Sequence, residues 1–211
     1  MHSVTLLIDK RLEMPTKYKK TLENDSNKVV ISKNLLDSIK IIKDLEPDLI
    51  IISDSFDDDL SDFCKQVRAL TYNMRPVIVA LSKSADYNDR INVLNSGADD
   101  FISEPVNLTE FKVRMTAHLR REYESNLDLK QLLPNKNYSM RAIKRTCCQN
   151  EHWSMLYVKI ENFNDYKMAY TELASDKLLQ TYGAIIKATL TEDDFLGLID
   201  DNSYLESSNL P

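Results

Sequence analysis

The sequence predicts an α/β protein: a five-stranded parallel sheet doubly wound by helices, followed by a helical connector and a smaller, partial α+β segment. Three observations carry that prediction. Between residues 3 and 123, short apolar runs alternate five times with stretches of helical period, the pattern of parallel strands joined by helical crossovers. The runs are strand-sized: the longest purely apolar one, Leu49-Ile50-Ile51-Ile52, falls far short of the roughly 20 residues of a membrane span. From Tyr138 the pattern resumes after a break and reads helix, strand, helix, strand.

Taken in order, the strands are 4–8 (VTLLI), 28–31 (KVVI), 48–53 (DLIIIS), 76–81 (PVIVAL) and 100–103 (DFIS). Helices are predicted over 17–23, 35–45, 60–70, 86–96 and 109–123. In the second, Leu35, Leu36, Ile39, Ile42 and Lys43 follow one another at offsets of three and four behind Asn34 as N-cap, so the stripe should face the sheet. Beyond residue 118 the helical pattern runs on towards Leu127 and Leu129 and stops at Leu133-Pro134-Asn135, which predicts a helical connector over 124–137. A helix to about Cys148, a strand over 154–160 (SMLYVKI), one or two helices over 164–190, a strand over 195–199 (FLGLI) and a tail over 207–211 complete the chain. The expected domains are 1–123 and 138–211.

A net charge of −6, from 33 acidic and 27 basic side chains, argues against a wide grip on nucleic acid. The expected partners are a second copy or another signalling protein, with neither nucleic acid nor membrane involved. Gly97, Gly183 and Gly197 stand isolated, which removes phosphate-cradling loops built from clustered glycines. Cys64, Cys147 and Cys148 have no His or Cys partner at zinc spacing, and the first residues show neither a basic leader nor a signal-length apolar core. A reduced, cytoplasmic protein is expected.

Open parallel sheets bind ligands outside the carboxyl ends of their strands, where strand order reverses. The residues there are Ile8-Asp9-Lys10, Ser53-Asp54-Ser55, Leu81-Ser82-Lys83 and Ser103-Glu104-Pro105. With the stretches 47–54 (PDLIIISD), 75–82 (RPVIVALS) and 94–105 (LNSGADDFISEP), they make residues 3–123 resemble the receiver (CheY-like) domain of two-component response regulators, which has a flavodoxin-like fold. The resemblance implies that Asp54 is the phosphoryl-accepting position and that two acids after strand one help to hold magnesium. It also implies that Ser82 binds a phosphoryl oxygen, that a Lys before Pro105 pairs with the acyl phosphate, and that Phe101 is the aromatic switch position. A carboxylate attacks phosphorus only if a hard cation neutralises both charge clouds, and magnesium takes an octahedron of oxygens.

Two positions depart from that pattern together. Lys10 stands where the second acid should be, and Glu104 where the lysine should be. An ammonium offers no oxygen ligand, and a carboxylate at Glu104 repels a phosphoryl group. The sequence therefore predicts that Lys10 pairs with Asp54 or Glu104 in the space of the metal. No cofactor is expected; Mg2+ would enter, on Asp9 and Asp54, only with phosphorylation. Arg90, Lys112 and Arg114, near the fourth and fifth helices, are candidates to meet Asp89, Asp99, Asp100 and Glu110 of a partner.

Residues 127–205 resemble the first half of a GGDEF domain, the diguanylate cyclase fold: 129–136 (LKQLLPNK) is similar to its lead-in motif, 153–167 to its first strand and turn, and 199–205 to its signature hairpin. On that resemblance the metal-binding Asp corresponds to Lys159, the guanine-reading Asn to Lys167, and the signature loop to Asp200-Asp201-Asn202-Ser203-Tyr204. Asp176 matches a guanine contact, and Thr191 replaces the Arg of the inhibitory motif despite Asp194. Aspartates in place of glycines close the backbone to a triphosphate and repel it. The segment is thus expected to be a degenerate, truncated domain, either a fragment or a remnant packed on the receiver or on a second copy. The functional expectation is an atypical response-regulator-like signalling protein acting by protein contact, without ordinary phosphorylation or catalysis. The alternatives are a regulator phosphorylated on Asp54 by a histidine kinase and, third, a nucleotide cyclase.

Overall fold

Near-continuous apolar runs suit strands covered on both faces, and the first five strands are of that kind. β1 (Ser3–Ile8), β2 (Asn27–Ser32), β3 (Leu49–Ser53), β4 (Val77–Ser82) and β5 (Asp100–Ser103) are parallel throughout, in the order β2-β1-β3-β4-β5. The computed structural model describes residues 3–11, 13–24, 26–56, 59–71, 74–84, 86–148, 152–191 and 194–209, and the chain divides into two units, Met1–Glu122 and Tyr123–Pro211.

In the first unit, five helices follow the strands: α1 (Met14–Leu22), α2 (Leu35–Leu45), α3 (Leu60–Leu70), α4 (Tyr87–Asn95) and α5 (Leu108–Ser125). Alternation along each strand builds two cores. Leu6, Ile8, Ile50, Ile52 and Ile78 meet α2, α3 and α4 through Ile42, Phe63, Val67 and Val93. On the opposite face Leu7, Leu49, Ile51 and Val79 meet α1 and α5 through Tyr18, Leu22, Phe111 and Met115. Because β2 lies on one side of β1 and β3 on the other, the crevice at the switch point opens between the ends of β1 and β3, beside Asp9 and Asp54.

Local chemistry sets the helix boundaries. Proline is favoured in a first turn, where its missing N–H costs nothing, and Pro15 starts α1 at Met14, ahead of the predicted residue 17. Asn34 caps α2 as its sequence predicts, accepting from the Asp37 N–H at 2.7 Å. Leu36 does not join the inner stripe; it is 82% exposed, and the buried Ser38 takes the inward place, bonded to Ser32. After α4 the chain turns at Gly97, φ 111°, where a Cβ would come within 2.7 Å of Arg68 Cγ.

The second unit contains α6 (Lys136–Cys147), β6 (Trp153–Lys159), α7 (Phe163–Ala169), α8 (Glu172–Ala188), β7 (Phe195–Asp200) and β8 (Ser203–Asn209). Its strands are antiparallel in the order β6-β8-β7. Leu196, Leu198 and Tyr204 pack with Tyr182 and Ile186 of α8; Phe195 and Leu205, on the other face, pack with Tyr138 and Ala142 of α6.

Two expectations for this part of the chain are corrected. Residues 124–137 are not a helical connector: α5 ends at Ser125, and Asp128 Oδ1 accepts from the N–H groups of Lys130 and Gln131 at 3.0 and 2.8 Å. That local turn competes with helix. Leu132 then takes φ 56°, and Leu127 bridges back to Pro134. Nor are residues 207–209 a tail. They extend β8 alongside Met155, Ser154 and Trp153, with Ser207 buried; Leu210 and Pro211 lie outside the described residues.

Candidate functional site

The carboxyl ends of β1 and β5 bring together a network that the sequence reading only half anticipated. Asp9 follows β1 fully buried. Arg11, two residues on, donates from Nε to both Asp9 oxygens at 2.9 and 3.0 Å and from Nη2 to Oδ2 at 2.6 Å. The far side of the same guanidinium reaches Glu104, Nη1 to Oε2 at 2.6 Å and Nη2 to Oε1 at 2.9 Å. The Tyr18 hydroxyl of α1 also donates to Glu104 Oε1, at 2.8 Å. The Glu104–Pro105 peptide is cis.

The cation that meets Glu104 is therefore Arg11, where the sequence reading put Lys10. Side chains alternate along an extended chain, so after the buried Asp9 the Lys10 side chain turns outward and Arg11 inward. Lys10 is exposed, with Nζ 5.9 Å from the Phe56 ring centroid, and its N–H donates to Ser55 Oγ at 3.0 Å. Asp54 lies at the end of β3 and accepts from Ser82 Oγ at 2.8 Å and from the Lys83 N–H at 2.6 Å. Asp9, Glu104, Asp54 and Ser82 thus gather at one end of the sheet, as strand-end reasoning predicts.

Burial pushes the Asp9 carboxyl upward, but the hydrogen bonds and charge of Arg11, with a bond from Ser55, outweigh it and hold the group below its ordinary value. The bond to Asp9 raises Arg11 further, against burial, with Glu104 adding to the rise. Tyr18 is raised by burial and then by its bond to Glu104. On β5, Asp100 is pushed up by burial and pulled down more strongly by His118, the Phe101 N–H and Arg114. Carboxyls depressed in the folded state contribute stability that is fully present above the unfolded value of about 4 and is lost as pH falls through the folded value. Thermal unfolding of the chain should show a midpoint that declines with acidification below about pH 4; a midpoint insensitive to acid there would contradict this account of Asp9 and Asp100.

Phe101 is 5% exposed and belongs to the core that includes Ile78, Ala80 and Val93. Three of the acids expected to await a partner are engaged within the chain. Asp99 pairs with Arg68 at 2.5 Å and accepts from the Ile78 N–H; Asp100 meets Arg114 at 3.5 Å and His118 at 3.3 Å; Glu110 meets Arg114 at 2.9 Å.

In the second unit the predicted residues come together only in part. Lys167, Asp200, Asp201 and Asn202 line an open cleft of about 510 Å³ with Lys136 and Asp128. Lys167 Nζ lies 5.6 Å over the Phe163 ring, and Asp200 is 3.9 Å from Lys136. Asn202 is structural, donating from Nδ2 to the Ile160 carbonyl at 2.8 Å. Lys159 is exposed on β6, and Asp176 is held by Lys130 at 3.1 Å. Thr191 donates to Asp194 in a local turn. Ser203 and Tyr204 are buried; the Tyr204 phenol, pushed up to about 12 by burial and then by Tyr182 and Asp128, donates within reach of Gln131 Oε1 and the Leu179 carbonyl.

Against known proteins, no protein-family model matches the chain. The probable transcriptional regulatory protein y4xI of Sinorhizobium fredii is 45% identical over 65 residues, 31% of this chain and 28% of that protein. Transcriptional regulatory protein YvrH of Bacillus subtilis is 28% identical over 137 residues, 64% of this chain and 54% of that protein. The solved structure of a two-component response regulator from Clostridium difficile matches with a TM-score of 0.53 at 29% identity, covering 57% of this chain and 98% of its own. The first unit has the receiver fold of response regulators. The chain spans about half the length, or less, of the curated relatives it matches. Their names overturn the expectation that nucleic acid plays no part: a charge of −6 describes this chain, whereas the relatives are called transcriptional regulatory proteins. No helix among the described residues is long and apolar enough to cross a membrane.

Proposed function

We propose that the chain is a cytoplasmic signalling module of the response-regulator type that works by protein contact, without the ordinary aspartyl phosphorylation cycle and without nucleotide cyclisation. The observation that carries this reading is Glu104. Its side chain is 5% exposed and turned to Arg11 and Tyr18, so the end of β5 offers a carboxylate where an acyl phosphate on Asp54 would need a cation. Asp54 itself is held by Ser82 and the Lys83 N–H. We read the second unit as a degenerate GGDEF remnant, in which Lys159 and Asn202 cannot fix the two metal ions that cyclisation requires. Its contact surface is the edge strand β6, where Met155, Leu156 and Tyr157 are each about half exposed, together with Tyr170 and Leu173. Such an apolar edge is what a partner chain would cover.

Incubation of the protein with acetyl phosphate and Mg2+, followed by intact-mass analysis, should show no added phosphate. A gain of one phosphate that disappears in Asp54→Asn would replace this reading by the phosphorylated one. The relatives' names favour a second reading, a part in transcriptional regulation. Saturable, salt-dependent binding of duplex DNA, followed by fluorescence anisotropy, would support direct contact with nucleic acid.

A further inference from the structure

We infer that Arg11 is the resident cation of the receiver pocket: its guanidinium takes the place a divalent ion would need, so the pocket holds its shape without metal. The inference deepens the reading above by naming what holds that site, but stands on separate geometry.

The first support is that the acids at the ends of β1 and β5 are already engaged. A divalent ion beside Asp9 would need a free carboxylate lone pair directed into the pocket. Asp9 Oδ1 already accepts from the Arg11 N–H and Nε, and Oδ2 from Nε and Nη2. Glu104 Oε2 accepts from Nη1, and Oε1 from Nη2 and the Tyr18 hydroxyl. All four oxygens carry a donor at 3.0 Å or closer. Asp54 is the pocket's remaining acid, with Oδ2 taken by Ser82 and the Lys83 N–H, so Asp9 and Glu104 do not fit the magnesium that the receiver fold implies.

The second support is charge and shape. Two carboxylates and one guanidinium leave a net −1 in a site whose acids are 0% and 5% exposed. An incoming dication would have either to displace the guanidinium, stripping its donors from both acids, or to sit beside its positive charge. Magnesium gives up its water reluctantly and demands octahedral geometry. A planar guanidinium instead matches two carboxylates at once with directed, charge-assisted bonds and stays protonated at any relevant pH. The result is a clamp between the end of β1 and the turn after β5, across 93 residues of chain.

Titration of the full chain with Mn2+ and Mg2+, by calorimetry and by electron paramagnetic resonance of free Mn2+, tests this. Wild-type protein should show no saturable site at millimolar ion, and the same thermal midpoint in EDTA and in Mg2+. In Arg11→Gln the two acids lose their cation, so Mn2+ should bind about tenfold or more tightly than to wild type and raise the midpoint. Should that variant not fold, the wild type alone decides: the Arg11 Nε–H resonance should be present, slow to exchange, and unmoved by Mg2+. Saturable binding to wild type that shifts this resonance, or a folded Arg11→Gln that gains no binding, would overturn the inference. Saturable metal binding without phosphate on Asp54 would overturn the inference alone; phosphate gained in EDTA would overturn the proposed function alone, and phosphate gained only with Mg2+ would overturn both.

Discussion

Arg11→Ala should cost the first unit about 3 kcal/mol at neutral pH, the low end for stranding buried charges because the guanidinium is 20% exposed. Asp9 and Glu104 would face each other with the Tyr18 hydroxyl, Ser55 and the residue 11 N–H as their remaining partners. The size of the loss is less telling than its pH dependence. In wild type Asp9 is depressed, so its contribution is present above the unfolded pKa and disappears as pH falls through the folded one. Without the guanidinium, burial, the largest influence on Asp9, and the Glu104 charge raise the carboxyl against only the residue 11 N–H and Ser55. The folded variant then binds a proton more readily than the unfolded chain, and its stability should rise as pH falls from neutral towards about 4. Wild type and variant should converge on acidification. Arg11→Lys should recover only part of the loss, since a point charge cannot fork two carboxylates. Urea denaturation followed by far-UV circular dichroism between neutral and acidic pH checks both points; parallel pH profiles would refute the clamp as the source of Asp9's depression.

The sheet was legible because strands buried on both faces must be apolar throughout, and 4–8, 48–53 and 76–81 satisfy that without help from tertiary context. Strand ends then nominated Asp9, Asp54, Ser82 and Glu104, which the fold gathers. Arg11 was not legible from adjacency to the acid, because alternation turns position 10 away from the pocket and position 11 towards it. The available signal was the charge balance of the nominated set, an excess of buried acid that asks for a long cation close by. Its contact with Glu104 spans 93 residues, which no local period encodes. The connector failed differently. Apolar spacing from 118 to 129 is compatible with helix, but Asp128 satisfies two backbone donors by itself, and Pro134 restricts the residue before it. In the second unit, the resemblance grouped Asp200 to Tyr204 as one loop, whereas strand alternation separates them into turn and core.

That separation predicts very different costs within five residues. Tyr204→Ala should destabilise the second unit by about 3–5 kcal/mol, as for other large aromatic truncations in a core. The ring is fully buried, 5.6 Å from the Tyr182 centroid, and belongs to the cluster of Leu133, Leu196 and Leu198. Tyr204→Phe keeps the ring but removes the hydroxyl 2.8 Å from Gln131 Oε1 and 3.1 Å from the Leu179 carbonyl, for a loss of about 1–2 kcal/mol. Asp201→Ala, on the exposed turn, should stay within about 0.5 kcal/mol of wild type. Trp153 is the chain's single tryptophan and opens β6, so its fluorescence during urea denaturation reports this unit. Were Tyr204 a residue of a ligand loop, its alanine variant would unfold alongside Asp201→Ala. As a core residue, it should shift the midpoint far below both Asp201→Ala and Tyr204→Phe, in that graded order.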